Sequence, residues 1–463
     1  MNEKELLSRI DSPAGAEIFA ELYGEAEIEN ARQRYRALIA GMANRGPGRF
    51  PEEELATADD NLRVFSAPGR TELGGNHTDH NRGKVLAASI QLDNVAIVRP
   101  RKDRTVFFRS TGYPDVKVRL CDAAGAGALD LKPRAEEHGR TEALVRGIAA
   151  ELYNRGCEIG GFTANASSAV LAGSGLSSSA AVEVLIGRIL DCLYGEGKRS
   201  AGGRSPLEIA QIGQIAENTY FGKPCGLMDQ TACAAGGAVA INFANAANPE
   251  IRQINFDLAA AGYALCVVNT HSSHSDLTAD YASIPKEMKE VAVFLGKPVL
   301  AELDRDTVLA GAAELRIVFG DRTLLRALHF FDENERVDAM TAALAEMDKS
   351  EGAAGKEQAF SRYLDLVIES GDSSWELLQN VYSSRHPEAQ AISVALALSR
   401  EFFRINKLHG AARVHGGGFA GTIQAYLPVD AMDAYRTYIE NIFGRNAVTV
   451  LRIRQKGAVE LVF

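Results

Sequence analysis

Between Gly69 and Lys84 the chain sets Arg70, Thr71, Glu72, Asn76, His77, Asp79 and His80 in close succession, a density of donors and acceptors suited to a polyhydroxylated ligand. His77, Asp79 and His80 have the residue types of a metal cluster. Glycine, asparagine and aspartate in such a run also make an ordinary surface turn, and the turn is the preferred reading. Farther along, Gly173-Ser174-Gly175-Leu176-Ser177-Ser178-Ser179 runs into an alanine-rich helical pattern. Glycines let a backbone turn tightly, serines supply cap oxygens, and the free N–H groups of a helix start favour an anion. The run therefore reads as a phosphate cradle or, about equally, as a flexible loop before an N-cap. It lacks the Gly-Lys-Ser/Thr ending of a Walker A loop. Asp229 lies in a turn-like stretch, Gly222–Cys233, where a lone aspartate is more often a cap. Near the end, Gly416, Gly417, Gly418 and Gly421 join two strand-like runs with more glycine than a β-turn needs, which suggests close backbone packing against a ligand or another loop.

These stretches need elements to position them. Apolar spacing predicts two or three helices over residues 4–40, then a short strand from Arg63 into Gly69 and a polar loop after it. Strands follow at Asn94–Val98 and Thr105–Phe108, with antiparallel sheet expected, then a helix at Thr141–Tyr153 and a strand at Gly161–Asn165. The serine run opens a helix to about Leu193, and another helix runs from Pro206 to about Tyr220. Strands are expected at Ala238–Phe243, Ile251–Phe256 and Tyr263–Asn269, and helices at Ile284–Leu295, Thr323–Met347, Lys356–Ser370 and Pro387–Ile405. Helix Ala431–Phe443 and strands Ala447–Arg452 and Ala458–Phe463 close the chain.

A chain of 463 residues with 46% hydrophobic content can bury large cores and argues for more than one folding unit. The net charge of −10 disfavours general affinity for nucleic acid or anionic membrane, so any positive potential for a phosphate ligand must be local. Six cysteines without CxxC pairs fit reduced thiols, and no run approaches the roughly 18 apolar residues of a membrane span. The expectation is a cytoplasmic protein with neither nucleic acid nor membrane as partner. The sequence assigns no oligomeric state.

Three motifs in a fixed order carry a resemblance. Gly69–Asp79, Gly173–Ala181 and Gly416–Gly421 resemble the three signatures of the GHMP small-molecule kinases, and the first block looks like the galactokinase signature in particular. Gly222–Gln230 is similar to that family's catalytic-aspartate segment. The resemblance spans residues 63–427 and implies a two-lobed α+β fold with ATP and sugar in the cleft between the lobes. The implied N-terminal lobe, residues 1–245, carries the galactokinase signature and the ATP phosphate loop. The C-terminal lobe, 246–463, carries the glycine-rich third motif. The implied activity is ATP-dependent phosphorylation of galactose to galactose 1-phosphate. Carried over by position, Asp229 is the base and Arg70 its partner and transition-state stabiliser, while Ser179 and Glu217 are magnesium ligands. Asn76, His77, Asp79, the backbone of Gly226 and Tyr281 fall on sugar-binding positions, and Gly173 through Ser179 on the ATP phosphates.

The chain also departs from that signature. Asn76 stands where glutamate is usual, His80 replaces tyrosine, Glu72 replaces an asparagine and Gly74 a bulky aliphatic. Asparagine keeps an acceptor, loses the charge and adds a donor, so the sugar side is altered. Two alternatives therefore accompany galactose: a kinase of the same type acting on an amino sugar, pentose or uronic acid, and a non-catalytic sugar sensor. Ser177 to Ala181, Asp229 and Arg70, all present, argue against the sensor.

Overall fold

Alternation along two neighbouring strands sets the architecture. On β1 (Arg63–Gly74) Phe65 and Ala67 belong to one core and Val64 to another; on β2 (Lys84–Pro100) Ala96 and Val98 join the first, Val95 and Ile97 the second. A sheet apolar on both faces must be covered on both. The computed structural model describes residues 1–42, 50–51, 54–55, 61–122, 128–171, 173–195, 203–272 and 277–463. In it the helices Glu3–Ile10, Pro13–Tyr23 and Ile28–Met42 cover the second face, through residues such as Phe19, Tyr35 and Ile39. Asn2 and Ser12 cap the first two by accepting from the backbone N–H groups of Glu5 and Gly15. The helices Thr141–Asn154, Ser178–Tyr194 and Pro206–Ile215 cover the other face with Ile148, Val184, Ile189 and Ile209. Ser205 and Glu208 form a capping box at the start of the last of these.

The long β2 serves two partners on one edge. Lys84–Ala88 pairs with β6 (Ala238–Asn242) and Asn94–Pro100 with β5 (Phe162–Ser168), while β1 runs antiparallel along the other edge. β3 (Thr105–Ser110) adds parallel to β5, and β4 (Val116–Arg119) antiparallel to β3. β7 (Glu250–Ile254) extends from β6 and β12 (Val459–Leu461) from β1, so this eight-stranded sheet takes in two strands that lie beyond residue 245. A second, antiparallel sheet has the order β11 (Val448–Leu451), β8 (Tyr263–Asn269), β10 (Thr422–Pro428), β9 (Ala411–Val414). Leu265 and Val267 of β8 join the first core by way of the helices Asp321–Lys349 and Ala353–Ser373. Cys266 and Val268 face a separate core closed by the helices Ala391–Ile405 and Met432–Phe443. The whole is an α+β architecture. Among the described residues no helix is long and apolar enough to cross a membrane.

Two expectations shift. The polar block after Gly69 begins as strand, not loop: β1 continues to Gly74, with register shifts between Pro68 and Arg70 and between Glu72 and Gly74. Arg70 and Glu72 can be buried there because each meets an opposite charge from far along the chain, Asp229 and Arg413. The turn comes only afterwards, through His77 in the left-handed region (φ 61°) and a 3₁₀ turn at Asp79–Asn81. The helix expected from Ile284 begins at Thr278 with Pro285 inside it. Its first turn is tied down by Asp280, which accepts from Arg385 at 2.6 Å and from Ser383 at 3.0 Å.

Candidate active site

Asp229 lies in the first turn of the short helix Met228–Ala235, and its carboxylate is where the first and second motifs meet. Oδ1 accepts from Arg70 Nε at 2.8 Å and Nη2 at 2.7 Å, and Oδ2 accepts from Ser177 Oγ at 2.5 Å. Arg70 Nη1 also donates to the Gly175 carbonyl, and the Arg70 backbone N–H to the Leu176 carbonyl at 3.1 Å. The first motif thus grips the second directly. Burial pushes the Asp229 carboxyl up, but the Arg70 charge and the Ser177 and Arg70 hydrogen bonds outweigh it and hold the pKa below the ordinary aspartate value. The side chain stays 35% exposed, so an ionised carboxylate faces outward from a fixed cation.

Ser177 stands at the N-cap position of the helix Ser178–Tyr194, but its side chain does not cap it. It is left-handed (φ 59°, ψ 55°), and its hydroxyl goes to Asp229 instead of a backbone N–H. The first-turn N–H groups of Ser178–Tyr194 are therefore open to an anion. Gly173 (φ 72°) and Gly175 (φ 69°) take the conformation that glycine allows, and Ser174 Oγ donates to the Leu171 carbonyl at 2.6 Å. Ser178 is half-buried and Ser179 exposed. The close packing expected of the late glycines is against this loop: a side chain on Gly416 would meet the Gly175 backbone, and Thr422 Oγ1 donates to the Ser174 carbonyl at 3.0 Å.

The residues with expected sugar roles divide. Asp79 abuts Gly226, where a Cβ would come within 1.8 Å of Asp79 Oδ2. Gly226 lies three residues before Asp229 in the chain. His77 Nε2 donates to the Gly417 carbonyl at 3.0 Å and Tyr281 OH to the Gly418 carbonyl at 3.0 Å, which brings both to the third motif. Donation from Nε2 leaves Nδ1 of His77 as an acceptor. Burial lowers the His77 pKa to about 3, so the ring is neutral at ordinary pH. Asn76 behaves differently. It is 1% exposed, its Nδ2 donates to Glu72 Oε1 (2.9 Å) and the Gly416 carbonyl (2.8 Å), and its Oδ1 accepts from Asn380 (2.8 Å). Its amide is consumed by the protein.

Glu217 projects from a π-helical segment, Ala216–Phe221, that continues the helix Pro206–Ile215. Its Oε1 accepts from Lys223 Nζ at 3.1 Å and its Oε2 from Gln230 Nε2 at 3.0 Å. The same Gln230 amide donates to Glu183 Oε2 at 3.0 Å, and burial followed by the Glu217 charge pushes the Glu183 carboxyl well up. Among the described residues no group of three or more His, Cys, Asp or Glu side chains forms a metal cluster. Gln230, Glu183, Lys223, Asn380 and Arg413 were not singled out from the sequence. Their signals were thin: Gln230 directly follows Asp229, and Glu183 lies one helical turn beyond Ser179.

Comparison with known proteins agrees with this geometry. Residues 52–100 match the model of the galactokinase galactose-binding signature, and residues 143–237 that of the GHMP kinases N-terminal domain. A galactokinase of Streptomyces coelicolor is 31% identical over 84% of this chain and 91% of its own length; one of Clostridium tetani is 28% identical over 84% and 89%. Among solved structures, Lactococcus lactis galactokinase complexed with galactose superposes with a TM-score of 0.67 at 23% identity, covering 97% of this chain and 99% of that one. Methanococcus jannaschii mevalonate kinase gives 0.54 at 13% identity over 85% and 98%. The motifs, the meeting of the first two at Asp229 and the curated relatives agree, and the chain belongs to the galactokinase family of GHMP kinases.

Proposed function

We propose that this protein transfers the terminal phosphoryl group of ATP to the anomeric hydroxyl of galactose, giving galactose 1-phosphate. The observation that carries the reading is Asp229 held by Arg70 and Ser177 at the junction of the signature strand and the glycine-serine loop. Phosphoryl transfer needs positioning and charge neutralisation more than covalent help. Asp229 would align the sugar hydroxyl and take its proton as the oxygen–phosphorus bond forms and the bond to the β-phosphate oxygen breaks. Its lowered pKa makes it a weak base, so proton transfer comes late, once bonding to phosphorus has acidified the hydroxyl. Gly173 through Ser179 would receive the phosphates on backbone N–H groups, and His77, Asp79, Gly226 and Tyr281 would line the sugar side.

Ser179 offers an exposed hydroxyl and Glu217 a carboxylate, hard oxygen donors that suit a magnesium ion taking its remaining ligands from phosphate and water. When bound, such an ion would neutralise phosphate charge. One observation keeps a second reading, the same transfer to another sugar: Asn76 is buried and its amide is spent within the protein. A panel of sugars assayed for ATP-dependent ADP release decides between them, with galactose expected to turn over. Turnover of another sugar and not of galactose selects the second reading. Asp229→Ala is expected to remove nearly all turnover, by roughly 10²–10⁴-fold, while ATP still binds; undiminished turnover overturns the role of Asp229.

A further inference from the structure

The family resemblance gives Arg70 two jobs, partnering Asp229 and offsetting the charge of the group in transfer. Its geometry favours the first. Nε and Nη2 both go to Asp229, Nη1 goes to the Gly175 carbonyl, and the residue is only 5% exposed. A phosphoryl group crossing to the sugar still needs a cation that it can reach.

Lys223 has the position. It follows Gly222, which is left-handed (φ 84°), and its backbone N–H donates to the Glu217 carbonyl at 3.1 Å, so the turn fixes where the side chain starts. The ammonium holds the buried Glu217 carboxylate at 3.1 Å, yet the side chain is 61% exposed. Its charge is also felt at Asp229 and at Tyr281. It thus holds the carboxylate expected as a magnesium ligand, and its charge reaches the candidate base and the sugar-side tyrosine.

We propose that Lys223 is a further catalytic residue, whose ammonium exchanges Glu217 for the terminal phosphate of bound ATP and neutralises it during transfer. The inference rests on the kinase reading given above. A lysine suits the task because a flexible stem carries a point charge that can change partners, which a guanidinium locked into a fork cannot do. When Glu217 turns its carboxylate to a divalent cation, the ammonium needs another anion, and the terminal phosphate brings one.

Equilibrium binding of ATP and of ADP, each with Mg²⁺, separates this from the kinase reading because neither measurement needs a sugar or turnover. Wild type is expected to prefer ATP. Lys223→Met is expected to lower the ratio of ATP to ADP affinity about tenfold, with ADP affinity changed less than about threefold, and Lys223→Arg to recover most of it. In turnover, Lys223→Met should lower kcat by at least about tenfold with sugar KM nearly unchanged. An unchanged ATP/ADP ratio in a folded Lys223→Met protein overturns the proposal and leaves the kinase reading standing. A wild-type protein that binds both nucleotides yet phosphorylates no sugar overturns the kinase reading, while the ratio still reports on Lys223.

Discussion

Asn76 illustrates how a residue in a signature can serve the scaffold. Its side-chain amide joins Glu72 on the signature strand, the Gly416 carbonyl of the third motif and Asn380, all in a space from which solvent is excluded. Glu72 in turn accepts from Arg413 at 2.5 Å; burial pushes its carboxyl up to about 6 against the opposing charges of Arg413 and Arg70. The usual asparagine and glutamate of the signature are here exchanged between positions 72 and 76, and the two side chains hydrogen-bond at 2.9 Å, so the pair keeps one carboxylate and one amide. Asn76→Glu breaks that balance. It removes both donations from Nδ2 and sets a second carboxylate against a buried one. The variant is expected to lose at least about 2 kcal/mol in urea unfolding. The double exchange Glu72→Asn with Asn76→Glu restores a single carboxylate and should lie above Asn76→Glu alone. An Asn76→Glu protein as stable as wild type would return Asn76 to the substrate side.

At the scale of elements, the site is made by backbone turns that bring side chains into register. The stretch Gly222–Leu227 leads from the π-helical segment that carries Glu217 to the helix that carries Asp229, and Gly226 is where the chain passes Asp79. A Cβ at Gly226 would overlap only the end of the Asp79 side chain, which can swing aside at little cost in stability. Gly226→Ala is therefore expected to change the unfolding midpoint little but to displace Asp79. Sugar KM should rise about tenfold or more while ATP KM stays within about threefold. Equal effects on both KM values would place Asp79 outside the sugar subsite. Helix and strand positions around these turns were legible because apolar spacing reports burial locally: the helix Ser178–Tyr194, the strands β6 and β8 and the helix Met432–Phe443 lie within a few residues of expectation. Arg70 and Glu72 misled because local composition sees two charges and infers a loop, whereas their partners arrive from residues 229 and 413. Ser177 shows the same long-range effect. A serine before a helix is a cap unless a distant carboxylate claims its hydroxyl.

Across the whole molecule, the first sheet is closed by segments from both ends of the chain, and no local pattern foretold it. β12 pairs with β1, and Arg9 Nη1 donates to the carbonyl of Phe463 at 2.6 Å. The N-terminal helices lie on the face of the sheet opposite Ser178–Tyr194. Asp93, fully buried on β2, ties these parts together. Oδ1 accepts from Arg34 of the third helix at 2.7 Å, and Oδ2 accepts from Arg454 at 2.9 Å, from Tyr23 at 2.7 Å and from Ser66. Burial raises the Asp93 carboxyl, but the charges of Arg34 and Arg454 and the hydroxyl hydrogen bonds bring its pKa below the ordinary value. The stability it contributes is present above the ordinary aspartate value of 3.8 and is lost as pH falls through the lower folded value. Asp93→Asn keeps the shape and removes the charge, which leaves the fully buried Arg454 without its ion-pair partner. The expected loss is about 3–5 kcal/mol in urea unfolding near neutral pH. Faster amide hydrogen exchange in residues 3–42 should accompany it, because Arg34 and Tyr23 dock those helices through the same carboxylate. A loss below about 1 kcal/mol, or exchange unchanged in those helices, would show that apolar packing by Phe19, Tyr35 and Ile39 holds the N-terminal helices without Asp93.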